Sequence, residues 1–384
     1  MESTERKRVL IAAEWFPPAY RAGGPIRSVA NLAALLGDTH EVFVVAGAYD
    51  LGQTSPLPDL ALNVWIQQPW GQVQYVTRDR WQSGLWHHLL VETLQPDYLY
   101  LNSLFARFFA LQPLRMARKK CPRTQVVLAP RGMLGAGALA IKPLKKRVFL
   151  AASRAAGWFN GVRWHASSEV EAAEIRAVWP DAAVSVALNL PSPPYKGGKT
   201  APADRWVFAV IGRIHPKKNI AFGIEALAQA FQESQSKPVE VQLIGPAEDP
   251  AYLEEIKAAG RAARDLTIRV LGAMNHEAVS TALAGAHFVL MPTHHENFGH
   301  AIVEGWAHGC PVVLSNNTPW RDLERVGAGW DWPLDKAQWV EGLKRVLALD
   351  QAGWKSLSET SCSYFQEEVW TAEMREANLR IFQP

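Results

Sequence analysis

Cysteine is scarce: Cys121, Cys310 and Cys362 are the three in 384 residues. Their spacing makes no C-x-x-C knuckle, which argues against a disulfide-stapled scaffold and a zinc ribbon. It fits a reducing cytoplasm. No apolar run approaches the ~20 residues needed to span a bilayer as a helix. The N-terminal run VLIAA is interrupted at Glu14 and lacks a cleavage site, so it reads as a first strand and not as a signal peptide. There is no Asp-x-Asp triad to suggest a bound divalent cation, no internal repeat and no low-complexity tract.

What is present fits a loop-rich globular chain of two or three domains. The residues are 48% hydrophobic and include 16 Trp and 25 Pro. Net charge is only +3, but residues 1–185 carry 21 Lys and Arg against 14 Asp and Glu, and the remainder carries 19 against 23. A basic first half suggests an anionic partner. That partner is not expected to be nucleic acid, because no recognition module accompanies the charge.

Strand and helix signals alternate along both halves. Short apolar runs at 8–13, 41–46, 63–66, 98–101, 125–129 and 161–166 predict strands in the first half. Those at 207–211, 239–244, 268–271, 288–291 and 312–314 predict strands in the second. Helices are expected at 28–36, 81–94, 104–120 and 252–263, and an amphipathic one at 365–382. Residues 191–204, PSPPYKGGKTAPAD, read as a linker. The fold class is therefore α/β, two doubly wound Rossmann-like domains.

The chemistry concentrates at 288–323. A buried strand, Phe288 to Met291, gives way to a polar loop, and Gly299 opens a helix. The amides around Phe298, Gly299 and His300 have no helical partner and can meet a phosphate or sugar oxygen. Glu296 and Glu304 have seven residues between them. They either grip vicinal hydroxyls on a ligand or are solvated. Arg213 and Lys218 follow a strand and a turn at Gly212, where a guanidinium fork and a compact ammonium suit a diphosphate. Gly23 and Gly24, flanked by Arg21 and Arg27, allow close backbone approach before a helix. Lys142, Lys145, Lys146 and Arg147, with Arg115, Arg118, Lys119 and Lys120, form either one basic surface for anionic lipid or two solvated helix faces.

Glu296, Phe298, Gly299 and Glu304, then Gly309, Pro311, Val312 and Val313, resemble the E-x-F-G-x-x-x-x-E and G-x-P-V-V signature of family 4 retaining glycosyltransferases of GT-B fold. Other landmarks follow in order over nearly the whole chain, and P-R-G-M-L at 130–134 resembles a bacterial subset. The resemblance implies two Rossmann-like domains facing a central cleft, with domain ranges 1–190 plus 363–384 and 205–362. It assigns catalysis to Glu296, Arg213 and Lys218. Donor contacts fall to Gly23, Gly24, Asn297, Phe298, Gly299, His300, Glu304, Ala273 and Met274.

Arg131, Arg21, Lys145 and Lys146 would lie on the acceptor side, with Arg131 near a position where many members carry His. The partners implied are a nucleotide-diphosphate sugar and a glycan or lipid-linked acceptor, with no metal and no other cofactor. The location implied is the cytoplasm or the inner face of its membrane. A nucleotide-sugar epimerase of the same fold and a non-catalytic binding subunit remain open.

Overall fold

The computed structural model describes residues 6–199, 204–234, 236–261, 263–296 and 298–383. The chain divides into two units: residues 1–190 with 372–384, and residues 191–371.

The first unit holds β1 (Arg8–Ala13), β2 (Glu41–Gly47), β3 (Trp65–Gln68), β4 (Gly71–Val76), β5 (Tyr98–Leu101), β6 (Gln125–Leu128), β7 (Arg163–Ala166) and β8 (Ala183–Val186). They form one sheet in the order β3-β4-β2-β1-β5-β6-β7-β8, parallel throughout except for the antiparallel β3–β4 pair at one edge. Strand alternation sends Leu10, Ala12, Phe43, Val45, Leu99 and Leu101 into a core with Trp86, Phe108 and Phe109. Elsewhere on this sheet Phe382 packs its ring against Tyr98 and Tyr100.

The second unit holds β9 (Trp206–Ile211), β10 (Val239–Ile244), β11 (Leu266–Gly272), β12 (Phe288–Met291), β13 (Val312–Ser315) and β14 (Gly329–Trp332). Its order is β11-β10-β9-β12-β13-β14, all parallel. Numbered within the unit this is 3-2-1-4-5-6, the doubly wound order whose switch point lies between the first and fourth strands. Both faces of β9 are buried. Trp206, Phe208 and Val210 of β9 pack against Ile224, Leu227, Ile256 and Trp339. The alternate residues Val207 and Ala209 pack against Leu283, Ile302, Val303 and Trp306. Near-continuous apolar strands are what such a doubly covered sheet requires.

Several boundaries differ from expectation. The first helix spans Gly24–Gly37, starting ahead of Ser28, because Pro25 fits a first turn and Gly23 at φ 76° supplies the cap. The chain rejoins the first unit at Ala372, later than residue 363, because Phe365 and Val369 are buried against the second unit's core. The expected helix 365–382 breaks at Trp370, and its regular part is Ala372–Arg380. Residues 191–199 are not a free linker. The Tyr195 amide donates to the Ala307 carbonyl at 3.2 Å, and its ring stacks on His308 at 4.4 Å. Residues 200–203 lie outside the described residues.

Two buried histidines stay neutral in the folded chain. In the first unit, burial and the nearby Arg131 charge push His165 down to about 3, although its hydrogen bond to the Ala187 carbonyl opposes this. In the second, burial takes His287 down to about 4, aided by Lys199 and Lys237, and its Nδ1 accepts from the Val207 amide. Above the unfolded value near 6.5 both states are neutral and stability is unaffected. As pH falls below it, the unfolded chain binds protons that the folded chain refuses, so stability drops until the folded values are reached. Urea unfolding followed from pH 7.5 to 4.5 is expected to lose up to about 1.4 kcal/mol per pH unit per histidine below pH 6. His287→Asn keeps an acceptor for Val207 and should flatten the second unit's share of that slope.

Candidate active site

β9 and β12 pair in parallel, with Phe208 opposite Phe288 and Ala209 opposite Val289, so both chains leave the sheet at the same end. The chain leaves β9 through Gly212. Its amide donates to the Ile244 carbonyl at 2.9 Å, and that of Gly245 to the Gly272 carbonyl at 2.8 Å, tying three strand ends together. Gly245 has φ +149°, and a Cβ there would stand 1.9 Å from the Gly212 oxygen. Only glycine permits that approach. A 3-10 turn at Pro216–Lys218 follows, with His215 accepting from the Lys217 amide at 3.2 Å.

This turn aims Lys218 back across Gly212, where a Cβ would come within 3.6 Å of Lys218 Cε. Lys218 Nζ donates to Glu296 Oε2 at 2.6 Å, and the two side chains are 25% and 20% exposed. Arg213 turns instead to Glu248, its Nη1 lying 3.3 and 3.2 Å from the two carboxylate oxygens. That guanidinium is 58% exposed. Arg213 and Lys218 border one small crevice with Ile211, Gly212, Leu290 and Pro292.

The loop after β12 is stitched to the same turn. Thr293 Oγ1 and the His294 amide both donate to the Lys217 carbonyl, at 3.2 and 3.1 Å. The Glu296 amide donates to the Asn317 carbonyl beyond β13 at 3.0 Å. Gly299, at φ +79°, caps the helix His300–Ala307. A Cβ at Gly299 would meet Ile302 Cδ1 at 2.5 Å and Glu296 Cγ at 3.2 Å. Glycine brings no capping side chain, and the Ile302 amide donates to the Gly299 carbonyl at 2.8 Å. Phe298 is buried beside Trp320, whose Nε1 donates to the Phe298 carbonyl at 2.6 Å.

Glu304 is buried, at 8% exposure, and is not a solvated helix residue. Its Oε1 lies 4.0 Å from His276 Nδ1. His276 opens the helix His276–Gly285, capped by Asn275, just after Ala273 and Met274. The loops after β9, β11 and β12 thus border one end of the sheet. Asn297 lies outside the described residues. Sequence reading missed His276, although Asn275 at a helix start was a usable signal.

Gly23, Gly24, Arg21, Arg131, Lys145 and Lys146 belong to the first unit. Gly23 caps a helix, and its positive φ, not lack of space, calls for glycine. The loop before it is held by Asp50, which sequence reading also missed. This buried carboxylate accepts from the amides of Tyr20, Arg21 and Leu51 at 3.0, 3.1 and 2.7 Å. The Arg21 guanidinium lies against the side-chain amide of Gln53.

Arg131, at φ 56°, donates from Nε to Asn102 Oδ1 and from Nη2 to the Tyr100 hydroxyl, each at 2.8 Å. Its Nη1 donates to Asn189 Oδ1. The Tyr100 hydroxyl lies 2.8 Å from His165 Nδ1, and His165 Nε2 lies 2.9 Å from the Ala187 carbonyl. Burial pushes the Tyr100 phenol up to about 12. Lys146 Nζ donates to the Ala138 carbonyl at 2.6 Å, while Lys145 is exposed.

Residues 205–348 match the family described as Glycosyl transferases group 1. Over 110 residues, 28% of this chain, the sequence is 32% identical to the 2-deoxystreptamine N-acetyl-D-glucosaminyltransferase of Niallia circulans. The matched stretch spans about a quarter (26%) of that protein. Among solved structures, HepE of Anabaena in complex with UDP and glucose superposes with a TM-score of 0.64 at 17% identity, over 98% of both chains. Sucrose-phosphate synthase from Thermosynechococcus elongatus gives 0.67 at 16% identity, over 99% of this chain and 98% of that one. Identities this low establish the architecture alone: two α/β units of Rossmann type, the GT-B fold.

Gly245→Ala tests the close approach that shapes the Arg213 loop. The clash with Gly212, added to the backbone strain, should cost about 3 kcal/mol of second-unit stability, read by urea unfolding. Gly23→Ala, where a Cβ meets nothing within 4 Å, should cost less, about 1 kcal/mol.

Proposed function

We propose that the chain is a retaining glycosyltransferase that moves a sugar from a nucleotide diphosphate to a glycan or lipid-linked acceptor, in the manner of family 4. The observation that carries this reading is the Lys218–Glu296 pair at the β9/β12 switch point, beside Arg213, with the buried Glu304 about one turn into the helix that follows. The group 1 match over 205–348 supports the donor half of the reading. The P-R-G-M-L segment at 130–134 supports a role in cell-surface polysaccharide assembly by resemblance only.

In this reading the diphosphate replaces acid partners already in place. Arg213 exchanges Glu248 for phosphate oxygens at little cost, because an exposed ion pair contributes at most ~1 kcal/mol. Lys218 shares its ammonium between phosphate and Glu296, and Glu296 turns its second oxygen to the sugar hydroxyls. The amides of the Gly299 turn receive a further phosphate oxygen. Glu304 holds the ribose, with His276 beside it, and Ala273 and Met274 meet the base.

As the bond from the anomeric carbon to the phosphate oxygen breaks, negative charge grows on the leaving diphosphate. Preorganised positive groups lower that barrier by several kcal/mol. The acceptor oxygen bonds to the same face of the anomeric carbon, and its proton passes to the departing phosphate. Arg213 and Lys218 supply the positive charge, so the reading calls for no metal. UDP-linked sugars are the first donors to test, given the UDP and glucose bound by HepE of Anabaena and the N-acetylglucosaminyl transfer named for the Niallia circulans relative. On the acceptor side, Arg131 is engaged by Asn102, Asn189 and Tyr100, which supports a positioning role for it.

A thermal-shift screen of UDP, GDP and ADP sugars should single out the donor, since a ligand specific to the native state raises the melting point. With that donor, Arg213→Ala, Lys218→Ala and Glu296→Gln should each lower kcat by about 100-fold or more while leaving the fold intact. Glu304→Gln should chiefly raise the donor KM. Near-normal turnover in both Arg213→Ala and Lys218→Ala would end this mechanism.

A further inference from the structure

Between Tyr98 and Ser168 the chain has thirteen Lys and Arg and no Asp or Glu. This stretch contains the helix Pro143–Ala155, preceded by the exposed Ile141. The helix packs its inner face, Phe149 and Leu150, on the first unit's core. Its outer face is apolar as well. Leu144 is 75% exposed, Val148 61% and Ile141 63%. Leu144, Val148, Ala151 and Ala155 recur at i, i+4, i+7 and i+11, which sets them in one stripe, all exposed. At 100° per residue, Lys145 flanks the stripe on one side and Arg147 and Arg154 on the other, and all three are exposed.

The basic helix Gln112–Lys120 extends this surface. Arg115 lies over the Trp158 ring at 5.4 Å and Arg118 donates to the Gly157 carbonyl, both in the turn that ends the Pro143–Ala155 helix. Trp158 in turn packs edge-on against Phe149. The two basic helices are therefore neighbours through Trp158, and their charge adds on one side of the unit.

We infer that this face is an interfacial membrane-binding element, in which Ile141, Leu144 and Val148 enter the acyl boundary of an anionic bilayer. Long basic side chains on both flanks of a narrow apolar stripe can extend to lipid phosphates while the stripe sinks between them. A protein partner would have to match a convex apolar ridge with acidic residues on both sides, whereas an anionic bilayer presents that pattern everywhere. Among the described residues no helix is long and apolar enough to cross a membrane, so contact of this kind is peripheral. The inference stands apart from the proposed transfer chemistry.

The test uses the full chain and vesicles that carry no glycan and no nucleotide sugar. The protein should float with phosphatidylcholine vesicles containing about a third phosphatidylglycerol and stay behind with pure phosphatidylcholine. Leu144→Gln with Val148→Gln should weaken binding at least tenfold at an unchanged melting temperature, since both side chains are exposed. Lys145→Glu with Arg147→Glu should do the same. Failure to float with anionic vesicles at about 0.1 M salt, or equal flotation of the Leu144/Val148 variant, would overturn the inference. So would a dimer that this variant splits without any vesicle binding, which would assign the face to a second copy.

Discussion

The second unit depends on β9 and β12 lying side by side. Two register pairs, Phe208–Phe288 and Ala209–Val289, join segments separated by two further strands, three α-helices and a 3-10 turn. From these neighbours the connections depart to opposite faces: Ile220–Gln232 packs on the side of Phe208 and His300–Ala307 on the side of Ala209. Their departure opens a crevice at the strand ends, where doubly wound sheets take ligands. Arg213, Lys218, Glu296 and Glu304 all lie on the segments that follow these two strands. The bonds from Thr293 and His294 to the Lys217 carbonyl then fix one loop's height against the other.

The two ion pairs beside this crevice differ in character. Arg213–Glu248 is exposed and weak, a resting arrangement easily displaced. Lys218–Glu296 is shorter and about three-quarters covered, so separating it has a real cost unless another anion takes the carboxylate's place beside the ammonium. The site is therefore held in a charge-balanced state. Any anion that enters the crevice must take the place of the carboxylates already beside Arg213 and Lys218.

Much of this was legible in the sequence because it is local. Strands such as 206–211 and 288–291 are continuous apolar runs, and the loop after each announces itself with glycine and charge. Glu296, Phe298, Gly299 and Glu304 stood out through their resemblance to the E-x-F-G-x-x-x-x-E signature, since spacing alone left both glutamates open; in the structure Phe298 and Glu304 are buried and Gly299 takes a positive φ. The strands β4 and β14 were not legible. Their sequences, GQVQYV and GWDW, are short and mix glycine with polar residues, and pairing with β2 and β13 makes them strands. The partners of Arg131 were equally hidden, since Tyr100, Asn102 and Asn189 come from distant parts of the chain. Residues 191–199 showed a linker's composition, and nothing local signals that Tyr195 stacks on His308.

The Arg131 cluster has a further consequence. An arginine side chain can only donate, and a backbone carbonyl can only accept. With Arg131 at one end and the Ala187 oxygen at the other, every hydrogen in the row must point the same way. Tyr100 receives from the guanidinium and gives to Nδ1, which leaves the ring proton of His165 on Nε2. The tautomer of His165 is thus dictated by a guanidinium on the far side of a phenol, and it holds the chain at Ala187, just ahead of the boundary between the two units.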